Sequence, residues 1–190
     1  MTQSIAISSE QQRALERFYF YEARLLDSRQ YQQWLALVSQ DIRYTVPART
    51  NPLVDNRQRG EEQMISVERE LEGTDSTGCP VREETYVHLA LRVERAYKIN
   101  SWAENPPART RRIVGNIELM SESERGLEVW SNFHLHIARP GSADTTLAGQ
   151  RRDLLATVDD GDPGPGFLLL QREVILDYAL INAPTLGLLF

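Results

Sequence analysis

Hydrophobic and polar residues alternate most regularly between Leu127 and Arg139. One parity of this run is apolar apart from Ser131, and it holds Leu127, Val129, Phe133, Leu135 and Ile137. The other parity is mixed and contains Trp130, Asn132, His134 and His136. Because successive side chains of a strand point to opposite faces, the run predicts a sheet with one dry face and one mixed face. Similar runs at 111–120, 147–158 and 167–180 predict a meander of long antiparallel strands.

The first half of the chain has helical periodicity instead. Ser9 and Gln12 have the spacing of a capping box. The apolar stripe that follows contains Leu15, Phe18, Tyr19, Leu25 and Leu26. Glu22 lies inside this stripe, and buried charges are normally paired, so we expect Glu22 to be buried against Arg151 or Arg152. A catalytic carboxylate is the alternative interpretation.

The segments between this helix and the strands give mixed signals. Asp27 and Gln30 predict the cap of a second helix, whose buried face is Tyr31, Trp34, Leu35 and Val38. Residues 42–46 alternate as a short strand ended by Pro47, 47–60 form a predicted loop, and propensity favours a helix over 61–72. Residues 83–97 fit a strand and a helical stripe equally, but the acidic start at Glu83 and Glu84 favours a helix.

The order of elements, helices first and strands afterwards, is typical of an α+β fold. We expect N-terminal helices packed on one face of a curved, mostly antiparallel sheet. A length of 190 residues predicts a single domain over 1–190.

Composition narrows the function. The net charge of −6 and the lack of a strong Lys/Arg cluster make nucleic acid an unexpected partner. The N-terminus shows neither a signal peptide nor a membrane span. Cys79 is the single cysteine, which predicts a cytoplasmic protein without an intrachain disulfide. One thiolate cannot hold an iron–sulfur cluster or a thiolate-rich zinc site.

Several short motifs follow one another along the chain: EARLLD (22–27), WL (34–35), DIRYTVP (41–47), WAENPPARTR (102–111), IVGN (113–116), GQRRD (149–153) and QREVILD (171–177). Together these motifs resemble those of the small (beta) subunits of Rieske-type aromatic-ring-hydroxylating dioxygenases. They cover most of the chain in the right order.

The resemblance implies a cone-shaped fold like those of nuclear transport factor 2 and ketosteroid isomerase (NTF2-like). It implies a large alpha subunit as partner, commonly in an α3β3 hexamer. In the family the alpha subunit carries the Rieske 2Fe–2S cluster and the mononuclear Fe(II), and a reductase, often with a ferredoxin, supplies electrons from NADH. The complex adds both atoms of O2 to an aromatic ring and gives a cis-dihydrodiol. The beta subunit itself is expected to be structural, without catalytic residues, cofactors or metal.

Individual residues suggest two alternative functions. A stand-alone isomerase or dehydratase of the same fold would place acid–base residues inside the cone, and the candidates are Asp41, Tyr44, His88, His134 and Asp153. His134 and His136 share one face of a strand and form a weak metal-ligand pair, because no third ligand follows them.

A subunit interface is expected around the loop 102–111, which contains an aromatic residue, an acid, two prolines and arginines. The predicted interface residues there are Trp102, Glu104, Arg109 and Arg111. The apolar tail, with Leu186, Leu188, Leu189 and Phe190, is expected to continue the last strand or to pack into a subunit boundary, and Phe190 is its candidate contact.

Overall fold

A computed structural model of the chain describes residues 7–54, 57, 60–73, 78–101, 105–158, 166–181, 187 and 189–190. The helices are α1 (Ser9–Asp27), α2 (Tyr31–Leu35) and α3 (Tyr86–Ala96). The strands are β1 (Val38–Val46), β2 (Ala48–Arg49), β3 (Leu71–Glu72), β4 (Arg82–Glu84), β5 (Arg109–Ser123), β6 (Gly126–Ala138), β7 (Thr145–Thr157) and β8 (Phe167–Leu176).

Six of these strands form one sheet, in the order β4-β1-β8-β7-β6-β5. Strands β5 to β8 pair antiparallel in sequence, which confirms the predicted meander. Strand β1 joins the sheet parallel to β8, and β4 pairs antiparallel with β1. Strands β2 and β3 form a separate two-stranded ribbon.

The two faces of β6 are buried and exposed as the alternation predicted. Residues 127, 129, 131, 133, 135 and 137 are all buried, whereas Asn132, His134 and His136 are exposed. The stripe of α1 covers the dry face together with α2 and α3, since α1 packs on β5 and α3 packs on β1. The expected α+β layout is therefore confirmed, and it encloses a cone-shaped interior between the helices and the sheet.

The ends of the first two helices differ from the prediction. Ser8, one residue before the predicted Ser9, caps α1 by accepting a hydrogen bond from the Gln11 N–H. Asp27 does not cap α2, because its carboxylate instead accepts hydrogen bonds from Thr110 and Arg112 of β5. Helix α1 therefore runs through Asp27, and α2 is a short helix that ends before Val38, which belongs to β1.

The predicted helix over 61–72 is wrong. The segment forms two 3-10 turns, Glu62–Ile65 and Val67–Glu70, and then β3. It has helical propensity but no apolar stripe that could be buried, since Ile65 remains 69% exposed. Residues 83–97, by contrast, do form a helix from Tyr86 onward, after a short strand at Arg82–Glu84. None of the described helices is long and apolar enough to cross a membrane.

Candidate functional site

The interior of the cone holds a cluster of charged side chains, which we call the interior charge cluster: Glu22, Arg151, Asp153 and Arg172. Each of the four is at most 1% exposed. Glu22 comes from the apolar stripe of α1, and the other three come from the inner faces of β7 and β8. The cluster contains two acids and two arginines, so its formal charges balance.

Glu22 lies at the centre of this cluster and uses both carboxylate oxygens. Its Oε1 accepts hydrogen bonds from Arg172 Nη1 at 2.6 Å and from Trp34 Nε1 at 3.0 Å. Its Oε2 accepts from Arg151 Nη1 at 3.0 Å and from Arg172 Nη2 at 3.1 Å. The prediction that Glu22 is buried against Arg151 is therefore confirmed. Arg152 lies on the other face of the sheet, where it stacks on Trp130 at 4.4 Å.

Asp153 completes the cluster on the side of the sheet. It faces Arg172 across β7 and β8, and it accepts from Arg172 Nε at 2.9 Å and from Nη2 at 2.7 Å. The Tyr19 hydroxyl donates to the same carboxylate at 2.9 Å. Arg151 Nε donates to Ser131 at 3.3 Å, which explains the small polar residue in the apolar parity of β6.

The tail of the chain closes the interior. The Phe190 N–H donates to the Tyr44 hydroxyl at 2.9 Å, and the Phe190 main-chain oxygen accepts from Tyr44 at 3.2 Å and from Arg172 at 2.6 Å. Its ring packs on Phe133 with centroids 5.9 Å apart. Phe190 is 2% exposed, so its side chain is buried within its own chain. Leu189 is buried beside it, and Leu186 and Leu188 lie outside the described residues.

The electrostatics of the cluster oppose acid–base chemistry. Burial works against ionisation of Glu22, but Arg172 and Arg151 outweigh it and hold the pKa of Glu22 below its ordinary value of 4.5. Burial, together with Asp153, raises the pKa of Tyr19 well above its ordinary value. Burial likewise disfavours the charge on Arg172, yet Asp153 and Glu22 raise its pKa. A general acid or base needs a pKa near the working pH. These shifts move the pKa values away from neutral pH, so Glu22 stays ionised, Tyr19 stays protonated and Arg172 stays charged.

The residues proposed for an isomerase or dehydratase site are not brought together. Asp153 contacts Arg172 directly, whereas Tyr44 is linked to Arg172 only through the Phe190 main-chain oxygen, to which both donate. Asp41, His88 and His134 are exposed, and His88 is used in the capping box of α3, where its Nδ1 accepts from the Thr85 N–H at 3.1 Å. The Asp153–Tyr19 contact is of the kind expected in such an enzyme, but both side chains are fully buried.

The histidine pair of β6 lies on the outer face of the sheet. His134 faces Ile113 and His136 faces Arg111 across the strand pair β5–β6. The nearest carboxylate to His136 is Asp144, at 4.0 Å. Within the part of the chain that the structure describes, no three His, Cys, Asp or Glu side chains are grouped as metal ligands.

The same outer face carries two of the predicted interface arginines. Arg109 and Arg111 are exposed at the start of β5, and Ile113 beside them is 71% exposed. We call this surface the outer patch: Arg109, Arg111, Ile113, His134 and His136. Strand β5 ends the described six-stranded sheet, so one of its edges has no neighbouring strand there. Trp102 and Glu104 lie outside the described residues.

Arg172 is the central residue that sequence reasoning missed. Arg172 lies on the same face of β8 as Val174 and Leu176, which are both buried. A charged residue among apolar residues of one face was therefore the signal that could have identified it. The signal was obscured because the pairing register of β7 and β8 shifts between Leu154 and Leu155, so that Leu169, of opposite parity, is buried too.

Helices on a curved sheet, with paired charges and Phe190 buried between them, define an NTF2-like fold. The family model for the ring hydroxylating beta subunit matches residues 21–183. The beta subunit of benzene 1,2-dioxygenase from Pseudomonas putida is 30% identical over 186 residues, which are 97% of this chain and 91% of that protein. The chain belongs to the family of ring-hydroxylating dioxygenase beta subunits.

Solved structures agree on the fold. Naphthalene 1,2-dioxygenase with indole bound in the active site matches with a TM-score of 0.74 and 23% identity, over 96% of this chain and 87% of that chain. A candidate scytalone dehydratase from Novosphingobium aromaticivorans matches with a TM-score of 0.57 and 18% identity, over 93% of each chain. Subunits of oxygenases and proteins described as dehydratases thus share this fold, and the contents of the cone have to distinguish them.

Proposed function

We propose that this chain is the structural beta subunit of an aromatic-ring-hydroxylating dioxygenase. Family membership, together with a cone closed by the interior charge cluster, supports this function over that of a stand-alone isomerase or dehydratase. In the proposed complex the beta subunit supports an alpha subunit, commonly as α3β3. The alpha subunit holds the Rieske 2Fe–2S cluster and the mononuclear Fe(II), and it dihydroxylates an aromatic ring to a cis-dihydrodiol.

The chemistry of this chain fits a division of labour between subunits. A Rieske centre requires two cysteines and two histidines, whereas the sequence has one cysteine, Cys79. His134 and His136 are on the outer face and belong to the outer patch. Electrons would therefore reach the alpha subunit from NADH through a reductase and a ferredoxin without passing through this chain.

The outer patch is the proposed docking surface for the alpha subunit. It combines an exposed isoleucine with two exposed arginines, and apolar side chains together with arginine are enriched where subunits meet. The neighbouring cis Asn105–Pro106 bond and Pro107 belong to the loop in which Trp102 and Glu104 were predicted to contribute. Exposure of Ile113 in the isolated chain supports burial of this surface in the complex.

Co-expression with the alpha subunit tests the docking surface. The double variant Arg109→Ala/Arg111→Ala should fold like the wild type, because both side chains are exposed, but lose co-purification and ring-hydroxylating activity together. Arg125→Ala is the matched control, since Arg125 is an exposed arginine at the far end of the β5–β6 hairpin. A double variant that assembles as well as this control would mean that the alpha subunit docks elsewhere.

Metal analysis tests the proposed absence of a cofactor. The purified chain alone should hold no stoichiometric iron or inorganic sulfide, and the assembled complex should hold both. About one tightly bound metal ion per isolated chain, lost in His134→Ala/His136→Ala, would contradict the structural function and support the metal-ligand interpretation of the pair.

A further inference from the structure

A cavity of about 280 Å³ opens at the mouth of the cone, between α3, the start of α2 and the start of β5. We call it the mouth pocket. The side chains that line it belong neither to the interior charge cluster nor to the outer patch. Its size is just below the range of pockets that hold drug-sized molecules, so it suits a single small ring.

The charged side chains that line the mouth pocket all have one sign. They are Arg29, Arg92, Lys98 and Arg112, and none of the described lining residues is acidic. Arg92 pairs with Glu84, Lys98 pairs with Glu94 and Arg112 pairs with Asp27, so Arg29 is the one of the four without an ion pair among the described residues.

Arg29 carries a charge that is not compensated by a described carboxylate. Its Nε and Nη2 donate to the neutral Ala108 carbonyl at 3.3 Å and 3.0 Å, and it forms no ion pair within the part of the chain that the structure describes. The residue has a left-handed backbone, with φ of 59°, and this conformation is fixed in part because the Tyr97 hydroxyl donates to its carbonyl at 3.1 Å. Arg29 is therefore held at the pocket by one contact of its side chain, to Ala108, and one of its backbone, to Tyr97.

Arg112 supplies a second, deeper cation. Its side chain is 4% exposed and pairs with Asp27, and it also donates to the Leu189 carbonyl. Its Nε has no hydrogen-bond partner among the described residues although it is buried. Burial lowers the pKa of Arg112 against the opposing influence of Asp27, so positive charge is costly at this position. An anion in the pocket would offset that cost.

The remaining walls are apolar and aromatic. The rings of Tyr31 and Tyr97 stand edge to face, with centroids 6.2 Å apart, and Val93, Ala96 and Leu189 line the pocket beside them. Such walls favour a flat apolar body, because edge-to-face and stacked ring contacts add to the area that is buried. A bare inorganic anion would leave these walls without a partner.

We propose that the mouth pocket binds a small aromatic carboxylate, with its ring against Tyr31 and Tyr97 and its charge balanced by Arg29 and Arg112. The inference goes beyond the structural function of the subunit and does not depend on docking to an alpha subunit. Since Leu189 both lines the pocket and is held by Arg112, an occupied pocket would also stabilise the tail against the fold.

Titration calorimetry on the full chain tests the proposal with three probes: benzoate, benzyl alcohol and acetate. Benzoate should bind saturably at one molecule per chain. Its binding should weaken as sodium chloride is added, since Arg29 is exposed and salt screens its charge. Benzyl alcohol lacks the charge and acetate lacks the ring, so each should bind at least about tenfold more weakly, the size of one charged hydrogen bond or of one buried ring contact.

Variants locate the binding. Ala96→Leu should fill the pocket and abolish benzoate binding, and Arg29→Gln should weaken it about three- to tenfold while the chain stays folded by circular dichroism. Arg95→Gln, on the same turn of α3 but outside the pocket lining, is the control that should bind as the wild type does. Absence of saturable benzoate binding, equal binding of acetate, or unchanged binding in both pocket variants would each overturn the proposal.

Discussion

Arg172 Nη1 lies 2.6 Å from Glu22 Oε1, although the two residues are 150 positions apart in the chain. This contact joins the first helix to the last strand through the centre of the cone. The same guanidinium reaches Asp153 and the main chain of Phe190, so one side chain connects α1, β7, β8 and the tail. The predictions below follow from this cluster and from the packing around it.

Removal of Glu22 should destabilise the fold strongly. Glu22→Ala leaves Arg151 and Arg172 buried without their shared partner, which costs about 3–5 kcal/mol for a buried pair. Glu16→Ala on the same helix, at a half-buried position, should cost less than about 1 kcal/mol. Urea unfolding of both variants measures the difference. If the complex forms, turnover per assembled complex should be unchanged, and a loss of turnover in a normally stable Glu22→Ala complex would instead make Glu22 catalytic.

Acid should remove the stabilisation that Glu22 provides. Its folded-state pKa is lowered, so its contribution is fully present above the unfolded value of 4.5 and is lost as the pH falls through the folded value. Chemical unfolding at a series of pH values below 4.5 should therefore show a smaller acid-dependent loss in Glu22→Gln than in the wild type.

Glu173 serves as the control for that series because its shift has the opposite sign. Burial raises the pKa of Glu173 against the pull of Arg152, so protonation of Glu173 favours the folded state. Glu173→Gln should lose stability on acidification at least as steeply as the wild type. Equal slopes for Glu22→Gln and the wild type would show that Glu22 is not the acid-sensitive group.

A methyl group at Gly149 should not fit. A Cβ there would lie 2.2 Å from the Ile175 carbonyl oxygen of the neighbouring strand, and backbone cannot yield as a flexible side chain does. Gly149→Ala should therefore destabilise the protein by about 1–3 kcal/mol or more, the usual cost of overpacking. Gly115→Ala is the matched control, since nothing lies within 4 Å of its added Cβ. Equal melting temperatures for the two variants would contradict the tight packing of β7 against β8.

Truncation of Phe190 should open the core. Phe190→Ala removes a ring that is 2% exposed and packs on Phe133, and such changes cost about 3–5 kcal/mol. Leu180→Ala should change stability by less than about 0.5 kcal/mol, because Leu180 is 84% exposed. Thermal unfolding compares them. Deletion of 186–190 should lower solubility as well, and full stability after that deletion would mean that the tail is not part of the core.

The regular elements were predictable because their patterns are governed by burial on one face. β6 is the clearest case, since every inner residue was identified by parity alone, including the exception Ser131. The segment 61–72 was mispredicted because propensity was considered without a face to bury. Asp27 was mispredicted because a local cap competes with distant partners, and the pairing with Arg112 of β5 cannot be derived from local spacing.

The interior site was only partly predictable for the same reason. The position of Glu22 in an apolar stripe predicted a buried charge, and Arg151 was one of its two candidate partners. To choose between Arg151 and Arg152, one has to know which of these neighbours in β7 points to the inner face of the sheet. To find Arg172, one has to know the register shift between β7 and β8. The tail was expected to continue the last strand or to pack into a subunit boundary, because exposed apolar patches usually mark contacts, and the structure shows that Leu189 and Phe190 are buried within this chain.

Because Tyr44 and Arg172 both bind the main chain of Phe190, the core cannot be completed until the ribosome has added that residue. At typical synthesis rates, Tyr44 emerges on the order of ten seconds earlier than its partner. For most of that interval α1 carries Glu22 without either arginine, and β1 has no β8 to pair with. The ion pairs of Glu22 and the pairing of β1 with β8 are therefore contacts that the N-terminal third can make only late in synthesis, after β7 and β8 have been made.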